Sequence, residues 1–353
     1  MDDSRSVFRR DDCDGVIVFG RETGGRKSLC PFFRREEFLL ERLKTKGKLS
    51  GAARRVRRNF PLYLMMLPGM GILLLFTYGP MIGYWLAFVD YKSRLGIFGS
   101  PFVGFLWFET LFDGGFIWEM VGNTLKISLL KLGLCFCAPI ILAFLVNDIG
   151  NRPFRSVIQC VSYLPNFISW IIVSGMIVIL LDTDEGLLNA IIVALGGERI
   201  SWYSEPQRWY GILTVTHLWK NMGWSSIMFL AALTALDPEL FEAAELDGAN
   251  KWQRIWHISV PGIMPTVTIV LILAIGKIFS DDFEQIYGLV GDNEILGETT
   301  NVISTWVYKL ANSGSAGSYA LGTAASLVQS VVSLLLVVGA NWVAKKAGQE
   351  GIM

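Results

Sequence analysis

The sequence predicts an all-α, polytopic membrane protein. It is expected to have six transmembrane helices, both termini in the cytoplasm, and a two-helix cytoplasmic loop between the fourth and fifth spans. Three observations carry that prediction. The 353 residues are 52% hydrophobic and 18% charged, with a mean hydropathy of +0.45, whereas a soluble domain carries about 25% charged residues. The apolar residues come in long blocks rather than in stripes. The charge is segregated: residues 1–60 hold 16 Lys and Arg against 9 Asp and Glu, although the whole chain is formally neutral. Such a composition excludes a water-soluble enzyme, a disordered chain and a nucleic-acid-binding module.

The elements follow in order. Residues 1–59 form a basic cytoplasmic segment, unstructured over 1–28. An amphipathic stretch from Phe32 to Leu43 places Phe38, Leu39 and Leu43 on one side and Arg34, Arg35 and Arg42 at the headgroups. A bilayer core takes roughly 20 apolar residues per helix, and six windows fit: 61–89, 120–146, 154–181, 209–235, 262–290 and 318–344. Together they make a membrane domain over 60–347, followed by a short tail, 348–353. With the N-terminus inside, the cytoplasmic segments collect 22 of the 31 Lys and Arg, as the positive-inside rule requires. The outer loops are instead acidic, at Asp182, Asp184, Glu185, Asp292, Glu294 and Glu298. An odd number of spans would put Lys345 and Lys346 outside.

The five cysteines read as small buried hydrophobes; Cys135 and Cys137, two apart on a helix, point to different faces and are not expected to bridge. The only histidines, His217 and His257, are separated by 40 positions, and no Cys/His cluster has metal-ligand spacing. There is no phosphate-binding Gly-rich loop ending in Lys-Ser/Thr and no Gly-x-Ser-x-Gly elbow. The chain is therefore expected to be no enzyme by itself and to hold neither metal nor nucleotide.

The loop 236–261 is too polar for the membrane and too structured for a connector. Asp237 is a good N-cap and Pro238 a good first helical residue. Helix formers run to Leu246, and Gly248 suits the left-handed turn that ends a helix. A second helix is expected from about Asn250 to Ser259, stopped by Pro261 and Pro265. Glu239, Glu242 and Glu245 line one face. By spacing alone this is a solvated acidic face as readily as a docking surface.

Glu242-Ala243-Ala244, Asp247-Gly248-Ala249, Ile258 and Pro261 resemble the signature loop of membrane subunits in binding-protein-dependent ATP-binding-cassette importers. Ile255 stands where Phe is usual, and Val260 where Leu is usual. The resemblance extends over residues 60–345. Tyr78-Gly79-Pro80-Met81, Gly99-Ser100-Pro101-Phe102-Val103-Gly104, Asn123-Thr124-Leu125 and Ser162-Tyr163-Leu164-Pro165 are similar to the oligosaccharide and polysaccharide branch, which includes permeases for aldouronate- and alginate-type sugars. The resemblance implies a second, related permease subunit, two cytoplasmic ATPases that bind ATP and Mg, an external solute-binding protein, and a place in the bacterial cytoplasmic membrane. It also implies that Glu242 pairs with a basic residue of the ATPase, and that Asp247 and Gly248 shape the turn beside it. ATPase closure would then tilt the spans between outward and inward openings.

Ionisable groups inside a bilayer are costly and mark function. In the fourth span Lys220 and Trp224 share a face, with Asn221 and Ser225 on the next. In the fifth, Lys277, Asp281 and Gln285 share a face with Asp282 beside it. In the third, Asn166 and Trp170 are four apart. Aromatic faces with amide and charged neighbours suit a sugar, and cations in the pathway suit an acidic one such as a uronate. A plainer reading has Lys277 and Asp281 neutralise each other and Lys220 snorkel or pair with the partner chain; Lys126 and Lys131 are expected to make partner contacts only. The alternatives are a neutral sugar or another small solute carried by the same family, or a secondary transporter or channel. The acidic two-helix loop disfavours the last two.

Overall fold

A computed structural model describes residues 58–279, 282–348 and 351. The expected amphipathic stretch near Phe32 to Leu43 and the candidate Asp281 lie outside these residues. The chain divides into two compact units, Met1–Phe76 and Thr77–Met353. In the first, helix α1 (Phe60–Leu73) exposes apolar side chains all round. The helix runs on through a π turn, Leu74–Tyr78, and a 3-10 helix, Gly79–Phe88, as one 29-residue apolar element.

The second unit continues with α2 (Phe116–Asn147), α3 (Arg152–Tyr163), α4 (Trp170–Leu180) and α5 (Trp209–Thr234). Then come α6 (Pro238–Leu246), α7 (Lys251–Arg254), α8 (Val260–Gly276), α9 (Phe283–Val290), α10 (Ile303–Asn312) and α11 (Ala316–Lys346). The fold is all-helical: extended pairing among the described residues is limited to an isolated bridge between Val89 and Phe102. Among the described residues, four elements are long and apolar enough to cross a membrane: Phe60–Phe88, Ile117–Asn147, Lys251–Gly276 and Ala316–Lys346. A fifth is added if the bent pair α3–α4 counts as one span. Helix α5 fills the remaining window with 26 residues but is more polar, because it is central. Trp209, Leu213, Thr216, Lys220, Gly223, Phe229 and Leu233 are all buried along it, and a helix enclosed by protein need not be apolar for lipid.

Two expected spans are corrected. The window 154–181 is not one straight helix: α3 passes into a 3-10 turn, Leu164–Phe167, and meets α4 at 97°. Pro165 sits in that turn, and Ser169 starts α4 as its N-cap, accepting from the Ile172 amide at 3.4 Å. The window 262–290 is wrong at both ends. The helix ends at Gly276, and a separate helix starts at Phe283. At the N-terminal end of this window Pro261 and Pro265 do not stop the helix: Ile255–Ser259 forms a π turn that joins α7 to α8. A proline clashes with the carbonyl four residues earlier in an ordinary helix, and a π turn is a common way to re-space that ladder.

Three apolar clusters hold the unit together. Ile127, Leu181, Trp209, Leu213, Ile286 and Leu289 join α2, α5 and α9. Ile117, Met120, Phe279, Ile303 and Ala325 join α2, α10 and α11. Ala143, Val146, Phe229, Leu230 and Ile263 join α2, α5 and α8. Helix α5 also comes close to the end of α3: a Cβ on Gly223 would fall 2.0 Å from the Ser162 carbonyl oxygen. Small residues permit such backbone approach between membrane helices.

Candidate functional site

The loop 236–261 is built from local signals. Asp237 Oδ1 accepts from the Glu239 amide at 3.0 Å and caps α6. The helix ends on Gly248 at φ +80, with the Ala249 amide donating to Ala244 O at 2.9 Å and the Gly248 amide to Glu245 O at 3.1 Å. A side chain would be strained in that left-handed conformation. Asn250 and Gln253 then cap α7 reciprocally, at 2.9 and 2.7 Å. Arg254 reaches back to Glu245 at 3.2 Å, and Lys251 pairs with Asp148 just past α2. The two arms enclose a concavity lined by Ala244, Asp247, Gly248, Ala249, Gln253 and His257. Glu242 and Ala243 are exposed beside it. Of the three glutamates that line this face in the sequence, Glu245 is occupied by Arg254, whereas Glu242 has no ion-pair partner among the described residues.

Deeper in the second unit, Lys220 lies at the bend between α3 and α4. Its Nζ donates to three backbone carbonyls, Pro165 O at 3.3 Å, Asn166 O at 2.9 Å and Ile168 O at 2.6 Å. It lies 5.3 Å from the Trp170 ring centroid, and the residue is 5% exposed. The end of a helical turn leaves carbonyls without amide partners and carries partial negative charge. An ammonium group satisfies both. The sequence suggested Lys220 as a residue facing the pathway; its charge is committed to backbone. What faces outward is Trp224, 50% exposed, edge-on to Phe167, 73% exposed, at 5.8 Å. Asn166 donates to Asn221 Oδ1 at 3.2 Å beside them. Asn166 and Trp170 do not share a helical face, because the helix breaks between them.

A second polar cluster sits where α8 stops and α9 begins. Lys131 of α2 donates to Asp282 Oδ2 at 2.9 Å and to Gln285 Oε1 at 2.7 Å. His217 Nδ1 of α5 lies 2.8 Å from the same Asp282 oxygen. Gln285 is fully buried and donates to Leu213 O at 2.7 Å and Thr216 Oγ1 at 2.9 Å. Of the expected shared face, Lys277 and Gln285 do not lie together on one helix. The helix is interrupted, Lys277 is exposed at the end of α8, and Gln285 turns to α2 and α5. Sequence reasoning missed Lys131 as the partner of Asp282, and it missed the aromatic group next door. Phe283, Tyr287 and Tyr308 have ring centroids 4.8–5.3 Å apart. The spacing of Phe283 and Tyr287, four apart on one helix, was the available signal.

Long apolar helices with polar groups held between broken segments, and a polar two-helix loop between two of them, are the frame of a polytopic membrane protein. Residues 136–347 match the family described as the binding-protein-dependent transport system inner membrane component, and the chain belongs to that family as a sugar ATP-binding-cassette importer permease. It is 40% identical over 291 residues to the polygalacturonan/rhamnogalacturonan transport system permease protein YteP of Bacillus subtilis (strain 168), covering 82% of this chain and 89% of that one. It is 37% identical over 308 residues to Protein LplB of the same strain, covering 87% and 96%. Among solved structures, it resembles a chain of a bacterial alginate ABC transporter crystallised in complex with an alginate pentasaccharide-bound periplasmic protein. The TM-score is 0.76 at 34% identity, with 85% of this chain and 99% of that chain covered.

The geometry at Lys220 gives a direct test. Lys220→Gln removes the charge and leaves carbonyls of a buried bend short of donors, at a cost of about 1–3 kcal/mol. The purified variant is expected to unfold at a lower temperature and to accumulate less in the membrane, whatever sugar is present. A thermal midpoint equal to that of the parent would contradict this role.

Proposed function

We propose that this chain is one of two related transmembrane subunits of an importer that moves an acidic oligosaccharide, of uronate or alginate type, across the bacterial cytoplasmic membrane. The observation that carries the acidic reading is the pair of likenesses, to a polygalacturonan permease and to an alginate transporter, since both polymers are built from sugars bearing carboxylates. In this reading the membrane domain covers 60–347, with α5 as the fourth of six spans and α3–α4 as a bent third. The basic segment 1–59 and the tail 348–353 are cytoplasmic. The loop 236–261 receives the ATPase: Glu242, Ala243 and Ala244 present the docking helix, and Asp247, Gly248 and Ala249 fix its turn. The chain itself binds no cofactor; ATP and Mg belong to two ATPase subunits, and an external binding protein delivers the sugar.

The pathway runs past Asn166, Phe167, Asn221 and Trp224, where a sugar ring stacks and its hydroxyls meet amides. Lys220 and Trp170 hold this surface in place from behind, while Asp282 and Gln285 belong to the second cluster. Lys277, at the end of α8, and Asp281 are further pathway candidates. Alternating access follows when ATPase closure moves the loops and reorients the spans about the central site. A neutral sugar is the second reading, favoured by the uncharged character of the Phe167–Trp224 and Asn166–Asn221 surface.

Three measurements test this reading. In a cysteine-free background, Glu185→Cys and Glu294→Cys are expected to react with an impermeant maleimide in intact cells, and Glu239→Cys only after permeabilisation; labelling of residue 239 in intact cells would contradict the topology. Glu242→Lys turns an attractive contact with a basic ATPase cleft into a like-charge one. It is expected to lower ATPase co-purification at least about tenfold while membrane insertion is kept, and full retention would remove Glu242 from the docking surface. Finally, the assembled transporter in proteoliposomes is expected to take up a uronate oligosaccharide at least about tenfold better than its carboxyl-reduced counterpart, a difference of about 1.4 kcal/mol. Equal uptake would favour the neutral-sugar reading.

A further inference from the structure

We propose that Lys131 and His217 form the carboxylate-reading point of the pathway, and that Asp282 is a resident carboxylate that fills it until the acid group of the sugar displaces it. The proposal rests on the acidic-sugar reading above and deepens it.

The two sides of the cluster are built differently. The cationic side is fixed. Lys131 is 11% exposed and is held by Gln285, which is itself anchored on Leu213 O and Thr216 Oγ1 of α5. His217 projects from the same helix and meets the same Asp282 oxygen. The anionic side is open: Asp282 is 39% exposed and lies where α8 has ended and α9 has yet to begin. Full burial of an ion pair costs desolvation on both sides; here only the lysine is enclosed, and Asp282 is the partner that solvent can reach.

Asp282 also has somewhere to go. It occupies the N-cap of α9 with φ −75 and ψ 72, yet its side chain makes no capping hydrogen bond. Aspartate at that position normally accepts from the amides two or three residues on; the Gln285 amide already donates to Asp282 O at 3.0 Å, which leaves that of Glu284. Displaced from Lys131 and His217, the carboxylate can turn to the Glu284 amide at the start of α9, so it keeps a hydrogen-bond donor. The exchange substitutes one carboxylate for another at Lys131 and leaves the net charge of the site unchanged, which avoids the large penalty of stranding an ion in a poorly hydrated place. A neutral sugar offers nothing to replace Asp282 and leaves the ion pair closed. The aromatic group of Phe283, Tyr287 and Tyr308 begins one residue further on, and it supplies a stacking surface for the ring that carries the acid.

The test uses the complete transporter, with its ATPases and binding protein, in proteoliposomes. The ratio of uptake of a uronate trisaccharide to that of its carboxyl-reduced counterpart is measured for the parent, Lys131→Gln, Asp282→Asn and His217→Gln. Thermal midpoints are taken for each. The proposal expects Lys131→Gln to lower the ratio at least about tenfold and Asp282→Asn to keep it, because the cations stay available to the sugar. A purely structural pair would lose uptake alike on removal of either partner, and that outcome overturns the proposal. If either of these variants fails to assemble, His217→Gln decides. It leaves the Lys131–Asp282 pair intact, and it is expected to lower the ratio with the midpoint unmoved; an unchanged ratio overturns the proposal. A parent that takes up both sugars equally refutes the acidic-sugar reading and this proposal with it. A parent that prefers the uronate, with the preference kept in Lys131→Gln and His217→Gln, refutes this proposal alone.

Discussion

A break between two packed helices leaves carbonyl oxygens short of amide partners, and much of the packing around α5 is arranged to meet that constraint. Lys220 answers it with one ammonium on three carbonyls. The interruption between α8 and α9 poses the same problem, and Ser128 of α2 donates to Ile278 O at 2.6 Å, while Lys131, His217 and Gln285 gather the chain on its other side. Both repairs draw on α5. It supplies Lys220 and Asn221 to one break, His217, Thr216 and the Leu213 carbonyl to the other, and at Gly223 the close approach to α3. A helix with this many polar duties is poorly suited to face lipid, which explains why it is the buried one among the long helices.

The loop and the membrane body are mechanically continuous. From Lys251 to Gly276 the chain is helical without a gap, passing through the π turn Ile255–Ser259. A displacement of α7 is therefore carried along a continuous helical element to the point where α8 ends, near the Lys131–Asp282 cluster. The Lys251–Asp148 pair ties the same loop to the end of α2. That pair is exposed and adds little stability by itself. Its consequence is geometric: α7 and the end of α2 move together. Helix interruptions of this kind are where membrane proteins place sites and hinges, because irregular backbone is tolerated there only when enclosed by protein.

How much of this was legible in the sequence follows from the range of each interaction. The loop was readable almost in full, since Asp237, Pro238, Gly248 and Asn250 act on backbone within a few residues of themselves. The apolar windows located the helices, yet hydropathy averages over a window and does not register a change of direction. The signals at Pro165 and Ser169 were present and were overridden by the run of apolar residues on either side. Pro261 misled in the opposite sense, because a π turn carried the helix past it. The partners of Lys220 are backbone carbonyls, which have no side-chain signature, and Lys131 meets Asp282 across 151 positions. Pairings of that kind depend on the tertiary arrangement of α2, α5 and α9. The exposed pair Phe167 and Trp224 was half visible: Trp224 was singled out, whereas its partner came into view only with the bend.

The claim that α5 holds the bend between α3 and α4 is open to one local measurement. Amide hydrogen exchange in the assembled transporter, compared between the parent and Lys220→Met, reads each backbone hydrogen bond of the segment. The account predicts that the Ile168, Ile172 and Val173 amides, which close the bend and start α4, lose at least about tenfold in protection, equivalent to about 1.4 kcal/mol, while the α6 amides are unchanged. Equal protection of these three amides in both proteins would contradict it.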